Sequence, residues 1–261
     1  MRLAALALIL SSTAALAAPC GNDASGFLAW KQAFAKEAAR EGIGEKGLAA
    51  LTRATYAART IAADRNQKSF KYSLEKFMQV RGADAIVAQG RRNIAKYPDF
   101  YGALERIYGV PAGIIVAIHG METGFGRFMG DSHVLSATTT LAYDCRRPDF
   151  FRPHLLATLK LIDRGDISAN ATGAKHGELG HTQFLPGNIL AYGVDGDGNG
   201  QVDLTGVSDA LSSTANFLRS KGWQPGKGWQ EGQPNFRVIK EWNAASVYQK
   251  AIAIIAARIE A

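Results

Sequence analysis

The chain has 261 residues, of which 47% are hydrophobic and 20% are charged. This is the ordinary balance of a folded globular protein, and it excludes global disorder and a fibrous repeat. Thirty lysines and arginines against 23 aspartates and glutamates give a formal charge of +7, which favours an anionic partner such as nucleic acid, anionic lipid or an acidic polymer.

Residues 1–17 have the layout of a secretory signal peptide. Arg2 supplies a basic start, residues 3–10 are wholly apolar, and small residues end at Ala15-Leu16-Ala17, where cleavage is expected. A buried N-terminal helix is the alternative, but such a helix would normally have a polar face. We therefore expect an exported, periplasmic protein without nucleic acid as a partner. No later segment is apolar enough over sufficient length to predict a membrane span.

The chain has two cysteines, Cys20 and Cys145. In an exported protein an even pair first indicates a disulfide, and two free thiols are the alternative. Lipid attachment at Cys20 is not expected. A lipid-attachment site has a small residue directly before the cysteine and usually a leucine three places before it, whereas this chain has Pro19 and Ala17 at these positions.

Apolar residues recur at helical spacing and predict a mainly α fold. The pattern includes Phe27, Trp30 and Phe34, then Leu48 and Leu51, Leu74, Phe77 and Met78, and Phe100, Leu104 and Ile107. Pro111 opens the next helix, which runs to Glu122 and is broken by Gly124 and Gly126. Further helices are predicted near 134–143, 148–164, 208–220 and 244–259. Residues 165–206 are rich in glycine and aspartate, and we expect them to be irregular with a small β-element.

Glu122 is the candidate catalytic residue. It ends an apolar helix and enters a turn flanked by glycines, next to Phe125. Partial desolvation there would raise the pKa of the carboxyl group, and a carboxylic acid protonated near neutral pH can protonate a leaving oxygen. On this pattern alone, a solvated glutamate at a helix end is the favoured alternative.

A second local signal is the run Asp195-Gly196-Asp197-Gly198-Asn199-Gly200-Gln201-Val202-Asp203. It places oxygen ligands at positions 1, 3 and 5 of an EF-hand-type loop (Asp195, Asp197, Asn199), glycine at position 6 and the Gln201 carbonyl at position 7. Position 12 is Gly206 rather than glutamate. The run therefore predicts a calcium-type site, with an ordinary polar turn as the alternative.

Several motifs follow one another along the chain: Gly120-Met121-Glu122-Thr123-Gly124-Phe125-Gly126, Val134-Leu135-Ser136-Ala137, Thr140-Leu141-Ala142-Tyr143-Asp144, Thr182-Gln183-Phe184-Leu185-Pro186, Val194-Asp195-Gly196-Asp197-Gly198 and Ala215-Asn216-Phe217-Leu218. In this order they resemble the lytic murein transglycosylase B family. The resemblance extends from about Phe27 over nearly the whole remaining chain.

The resemblance implies a lysozyme-like α fold, as in soluble lytic transglycosylases, and an exported enzyme acting on peptidoglycan. It implies cleavage of the β-1,4 bond between N-acetylmuramic acid and N-acetylglucosamine, with 1,6-anhydromuramic acid ends as products. Glu122 falls on the family's single general acid and base, whereas an ordinary glycosidase needs a second placed carboxylate. Asp131, Asp144, Asp149 and Glu178 are available, but no spacing marks one of them as a nucleophile. No cofactor is implied for catalysis.

The resemblance also implies residues of the saccharide cleft. Gln183 is expected to bind an acetamido group and Phe184 a sugar face, with a turn packed under the core as the alternative. Asn243 and Tyr248 belong to an element that returns to the cleft, where a helix cap and helix packing are the alternatives. Arg146 and Arg147 are expected to pair with carboxylates of the muropeptide, although one of them is expected to be an ordinary structural arginine.

The family's metal loop takes its last carboxylate three residues after position 12, which is Asp209 here. A first-turn aspartate stabilised by the helix dipole is the alternative. After the signal peptide (1–17), the resemblance predicts one mainly α domain (18–261), with a helical N-terminal part (18–110), a catalytic core (111–235) that holds the loop 195–209, and a C-terminal helix (236–261) that returns to the cleft. We expect a monomer that binds peptidoglycan glycan strands.

Three positions depart from the family pattern. His119 stands where tryptophan is common, and we expect a core histidine. Ala174 replaces a serine and His181 a residue that is often glutamine. The changes at Ala174 and His181 keep open a weak or inactive peptidoglycan-binding protein. A hydrolytic muramidase that uses water and a calcium-stabilised envelope scaffold are further alternatives.

Overall fold

The computed structural model describes residues 19–66 and 72–261. The predicted signal peptide lies outside these residues and stays a prediction, as does the division of the remaining chain into three parts.

Within the described ranges the chain forms thirteen helices and two short strands. In chain order these are α1 (Phe27–Arg40), α2 (Glu45–Arg53), α3 (Ala58–Arg65), α4 (Leu74–Arg81), α5 (Ala83–Lys96), α6 (Pro98–Tyr108), α7 (Ala112–Thr123), β1 (Ser132–His133), α8 (Val134–Tyr143), α9 (Pro148–Arg164), β2 (Thr172–Gly173), α10 (Pro186–Tyr192), α11 (Val207–Ser220), α12 (Phe236–Trp242) and α13 (Ser246–Glu260). The mainly α fold class predicted from the sequence is confirmed.

Helix α7 is the centre of the larger hydrophobic cluster. Every residue of α7 is buried except Glu122, which is partly exposed. The helix follows Pro111 and ends at Gly124, which is left-handed (φ 57°) and caps it. It packs against α5 and α13. At Gly90 of α5 an added Cβ would lie 2.6 Å from Val116 Cγ1, so only glycine permits this close approach.

A second hydrophobic cluster is built mainly by α1, α2, α8 and α9. Trp30 and Phe34 stack at a centroid distance of 4.9 Å, and Tyr143 contacts Phe27 and Trp30 edge-on or tilted. Helices α8 and α9 supply residues to both clusters, because successive faces of each helix are buried. They therefore hold the N-terminal helices against the part of the chain that contains α7.

The predicted helices in the second half agree with α8, α9, α11 and α13 to within two residues. β1 pairs antiparallel with β2, and most of 165–206 is irregular as expected. The pattern missed α3, α5, α10 and α12. Two of these have only seven residues, and α5 packs through small residues such as Ala83 and Gly90, which give a weak apolar signal.

No single helix in the described parts combines the length and apolarity of a membrane span; only α6 and α7 together, bent by 109° at their junction, reach both.

Cys20 and Cys145 form a disulfide, as predicted, with their Cα atoms 5.0 Å apart. The backbone supports the same connection, because Gly21 N–H donates to the Tyr143 carbonyl at 3.1 Å and Cys145 N–H donates to the Gly21 carbonyl at 3.2 Å. The segment before α1 is thereby tied to the end of α8.

Reduction of the disulfide should lower the melting temperature. The bond joins residues 125 positions apart, and for loops of that length the chain-entropy argument gives an upper figure of about 4–5 kcal/mol in the free energy of unfolding. Thermal unfolding with and without reductant measures the difference, and a Cys20→Ala/Cys145→Ala variant serves as the control that should not respond. Equal melting temperatures for the oxidised and reduced protein would contradict the prediction.

Candidate active site

Helix α7 ends one residue after Glu122, at Thr123. The next three residues all have left-handed backbone conformations: Gly124 (φ 57°), Phe125 (φ 64°) and Gly126 (φ 86°). Such a run is costly for a side chain like that of Phe125 and persists only where neighbouring contacts fix it. Thr123 supplies them, since its Oγ1 accepts from Gly126 N–H at 2.9 Å and donates to the His181 carbonyl at 2.7 Å. A Cβ on Gly126 would lie 2.2 Å from the His181 ring.

Two donors from the C-terminal helices converge on one oxygen of Glu122. Trp242, the last residue of α12, donates its Nε1–H to Oε1 at 2.9 Å. Tyr248, in the first turn of α13, donates its hydroxyl to the same oxygen at 2.7 Å. Burial and the neighbouring Glu122 raise the pKa of Tyr248 well above its ordinary value, so the phenol remains a donor. Both bonds leave Oε2 of Glu122 available to a substrate.

Burial is the largest influence on Glu122 and raises the pKa of its carboxyl group. The hydrogen bonds from Tyr248 and Trp242 and the charge of Arg81 oppose the increase, whereas the charge of Glu178 adds to it. The net direction is upward. The geometry therefore favours a carboxyl group that is protonated at higher pH than an ordinary glutamate, as a general acid requires.

The carboxyl group of Glu122 lies in a pocket of about 250 Å³. The wall combines a second carboxylate, three side-chain amides and several apolar or aromatic groups: Glu178, Gln183, Asn188, Asn243, Phe184, Leu185, Phe217 and Trp242. Amides beside aromatic rings are suited to a sugar with an acetamido group, because the amides can form hydrogen bonds while the rings pack on apolar faces.

A second groove of about 610 Å³ also reaches Glu122. It is basic, since Arg81, Arg92 and Arg127 line it and Glu122 is the acidic residue of its wall. No acidic side chain in the described part of the chain pairs with any of these three arginines. Phe128 beside them is 74% exposed. This groove is suited to an anionic ligand with apolar groups.

Three of the predicted cleft residues, Gln183, Phe184 and Asn243, line the Glu122 pocket, and a fourth, Tyr248, contacts Glu122 through its hydroxyl. Gln183 has a positive φ of 59°, and its Nε2 donates to the carbonyls of Met129 and Gly180. Phe184 is almost fully buried, edge-on to Trp242 at 5.3 Å. Asn243 follows α12, and its Oδ1 accepts from Ala245 N–H. Since α13 begins at Ser246 after Ala245, Asn243 is not its N-cap.

Arg146 and Arg147 do not line this pocket. Both pair with Asp64 of α3, whose carboxylate is buried, and Arg146 Nη1 also donates to the Asp64 carbonyl at 2.8 Å. Burial alone would raise the pKa of Asp64, but the hydrogen bonds and charges of the two arginines lower it. The structure thus gives both arginines a partner within the protein, where the sequence indicated only one structural arginine, and their contact with substrate stays a prediction.

His119 is buried in α7, as expected, and its Nε2 lies 2.9 Å from His181 Nδ1. Burial and the neighbouring His181 lower the pKa of His119 to about 3, so this ring is neutral. The two departures from the family pattern at His119 and His181 therefore form one contact. Ala174 donates its backbone N–H to the Glu178 carbonyl at 2.9 Å and brings no hydroxyl group to the site.

The predicted metal loop gathers three carboxylates. One oxygen each of Asp195, Asp197 and Asp209 lies within 4.8 Å of the others. Asp195 accepts hydrogen bonds from the N–H groups of Gly200, Gly198 and Asn199, and these lower its pKa. Buried Asp209 accepts from Gly196 and Asp203. The carboxylate of Asp209 therefore faces the loop, and the set of hard oxygen donors fits a cation such as calcium.

The family model described as the transglycosylase SLT domain matches residues 26–233. The chain belongs to this family. Membrane-bound lytic murein transglycosylase B of Escherichia coli (strain K12) is 36% identical over 149 residues. That match covers 54% of this chain and 41% of the relative, so the chain spans less than half the length of this curated relative. The family resemblance seen in the sequence motifs is confirmed.

Solved structures of lytic transglycosylases have the same fold. SltB3 from Pseudomonas aeruginosa, in complex with NAG-anhNAM-pentapeptide, is 28% identical with a TM-score of 0.83, covering 90% of this chain and 80% of that one. The E. coli lytic transglycosylase Slt35, in complex with calcium, is 23% identical with a TM-score of 0.75, covering 88% and 92%. The lysozyme-like fold expected for the SLT transglycosylases is thereby supported.

Sequence reasoning missed four residues around Glu122. Trp242 stands next to the predicted Asn243, yet nothing local shows that its indole meets a carboxylate 120 residues away. Arg81 ends α4 and lies over the ring of Tyr248 at 6.0 Å. Glu178 was available without a distinguishing spacing, and Asn188 lies in a helix that the pattern did not predict.

Tyr248→Phe should raise the pKa of Glu122 further. The substitution removes a hydrogen bond to the charged form of the carboxyl group, and a bond worth about 1.5 kcal/mol corresponds to a roughly tenfold higher proton affinity. Titration of the ¹³C-labelled Glu122 carboxyl signal by NMR measures the change. Tyr72→Phe, at an exposed tyrosine, is the matched control. A pKa of Glu122 that falls or stays constant in Tyr248→Phe would contradict the hydrogen-bond geometry.

Proposed function

We propose that this chain is an exported lytic murein transglycosylase that cleaves the β-1,4 bond between N-acetylmuramic acid and N-acetylglucosamine in peptidoglycan. The observation that carries the proposal is the position of Glu122, whose pKa is raised by burial, in a pocket with amides and aromatic rings. Membership of the transglycosylase SLT family supports the same reaction class.

In the proposed reaction Glu122 is first an acid and then a base. Its Oε2 gives a proton to the glycosidic oxygen, and the bond from that oxygen to the anomeric carbon breaks. The resulting carboxylate then takes the proton of the muramic 6-hydroxyl as this oxygen attacks the anomeric carbon. A 1,6-anhydro ring forms, no water is consumed and Glu122 recovers its proton. Trp242 and Tyr248 hold Oε1, which fixes the direction of Oε2.

The walls of the site support a peptidoglycan substrate. Asn188 and Asn243 offer amides for acetamido groups, and the side-chain oxygen of Gln183 adds an acceptor. The basic groove of Arg81, Arg92 and Arg127 supports an anionic strand, because the peptides of peptidoglycan carry carboxylates. The proposed substrate is therefore a glycan strand that bears peptides.

The proposed location is the periplasm, with one mainly α domain at 18–261 acting as a monomer and without lipid attachment. The disulfide between Cys20 and Cys145 supports an oxidising compartment. It begins only three residues after the proposed cleavage point at Ala17, so the mature N-terminus would be tied down.

Glu122→Gln should abolish cleavage while preserving the fold. Glutamine keeps the shape but has no acidic proton, and loss of general acid catalysis lowers rates by about 10²–10⁴-fold. Mass spectrometry of material released from purified sacculi measures both rate and product, with anhydro ends expected and reducing muramic acid ends indicating hydrolysis instead. Glu105→Gln, at an exposed helix position, is the matched control. Turnover near that of the unsubstituted protein would exclude Glu122 as the acid.

We also propose that the loop holds calcium or another hard cation in a structural role. Asp195, Asp197, Asn199 and Asp209 would supply side-chain oxygens and Gln201 its backbone carbonyl, as the loop positions suggest. Support comes from the three carboxylates gathered there. Bound calcium would neutralise their mutual repulsion and fasten the start of α11. It would take no part in bond cleavage.

Calcium should raise the melting temperature, because a ligand that binds only the folded state stabilises it, by about 2.7 kcal/mol at a hundredfold excess over Kd. Asp209→Asn should remove this response. Asp149→Asn, which replaces an exposed carboxylate outside the loop, should retain it. The measurement is thermal unfolding of chelator-treated protein with calcium added back. An unchanged unfolding curve after calcium addition would argue against the site.

A further inference from the structure

Glu178 is a second carboxylate in the pocket of Glu122, and the reaction described above does not use it. Both residues line the same volume of about 250 Å³. The side chain of Glu178 is 24% exposed, so it is largely enclosed but open to the pocket. Its backbone carbonyl accepts from Ala174 N–H, which fixes the loop at this point.

Both oxygens of the Glu178 carboxylate contact His176, one its backbone and the other its ring. Its Oε2 accepts the backbone N–H of His176 at 3.0 Å, and its Oε1 lies 3.4 Å from His176 Nδ1. The other ring nitrogen of His176 lies 3.6 Å from Asp64 Oδ1. Asp64 in turn pairs with Arg146 and Arg147. His176 therefore fixes the direction of Glu178 and lies between this carboxylate and the ion pairs of Asp64.

We propose that Glu178 is a second catalytic carboxylate, which faces the anomeric carbon and stabilises the positive charge that develops there. This rests on the proposed function, since glycosidic cleavage passes through an oxocarbenium-like transition state. A fixed anion in a partly enclosed pocket interacts with such a charge more strongly than it would in water. No bond forms between Glu178 and the sugar, and Glu122 still carries out both proton transfers.

The charge of Glu178 also raises the pKa of Glu122. Four side chains face Glu122 from different elements: Arg81 of α4, Trp242 of α12, Tyr248 of α13 and Glu178 of the loop after β2. Glu178 is the only one of these four whose charge raises the pKa of Glu122. Without Glu178, only burial would raise the pKa of Glu122, whereas Arg81 and the two hydrogen-bond donors would still lower it. The carboxyl group would then lose its proton at a lower pH.

The experiment compares Glu178→Gln, Glu178→Asp and the control Glu105→Gln on peptidoglycan sacculi across a range of pH. Glu178→Gln should lower kcat by about 10–100-fold, with KM within about twofold, because the charge acts on the transition state. The alkaline limb of its pH profile should move to lower pH. Glu178→Asp keeps the charge and should retain the limb, and Glu105→Gln should match the unsubstituted protein in both quantities.

Melting temperatures establish that each variant is folded, and NMR titration of Glu122 gives its pKa independently of turnover. A kcat and an alkaline limb that survive Glu178→Gln unchanged would overturn this proposal and leave the proposed function standing. A lower kcat with an unchanged limb and an unchanged pKa of Glu122 would also overturn it, because that outcome indicates a structural role. If the unsubstituted protein cleaves nothing, the proposed function fails as well.

Discussion

An ionisable side chain at the end of an apolar, fully buried helix is the constraint on which the rest of the structure depends. Helix α7 buries every other residue, and Glu122 is partly exposed as a residue but its carboxyl group is desolvated. A charge there is costly unless it is paired or hydrogen-bonded. The chain meets this cost in two ways. Burial favours the neutral acid, and Trp242 and Tyr248 provide hydrogen bonds when the proton has left. A group stabilised in both states can give and accept a proton repeatedly.

The sequence predicted what depends on local pattern. The apolar run before Gly124 defined α7 and placed Glu122 at its end, and the presence of only two cysteines after a predicted signal peptide predicted their pairing. The predicted metal loop is equally local, since alternating oxygen donors and glycines lie within nine residues. Asp209 was found only through the family resemblance, because a first-turn aspartate by itself has another explanation.

The sequence could not predict partners chosen by tertiary packing. Arg146 and Arg147 are predicted from the sequence to pair with carboxylates of the muropeptide, with one of them expected to be a structural arginine. Their partner Asp64 belongs to α3, a helix without a clear apolar stripe and more than eighty residues earlier. The donor Trp242 was also missed, because its neighbours in the sequence suggest only a tryptophan of the hydrophobic core and Glu122 lies 120 residues away. Ion pairs and hydrogen bonds of this kind are properties of the folded chain.

The two residues that donate hydrogen bonds to Glu122 lie far after it in the sequence, in the last two helices. The disulfide encloses residues 20–145 in a covalent ring that contains the acid, whereas Trp242 and Tyr248 lie outside the ring, 120 and 126 residues after Glu122. Closure of this ring requires neither donor, so it can precede the docking of α12 and α13. The hydrogen bonds to the acid form only when α13 packs on α7 and α12 packs beside α13, so a chain in which only the ring has folded has an incomplete site.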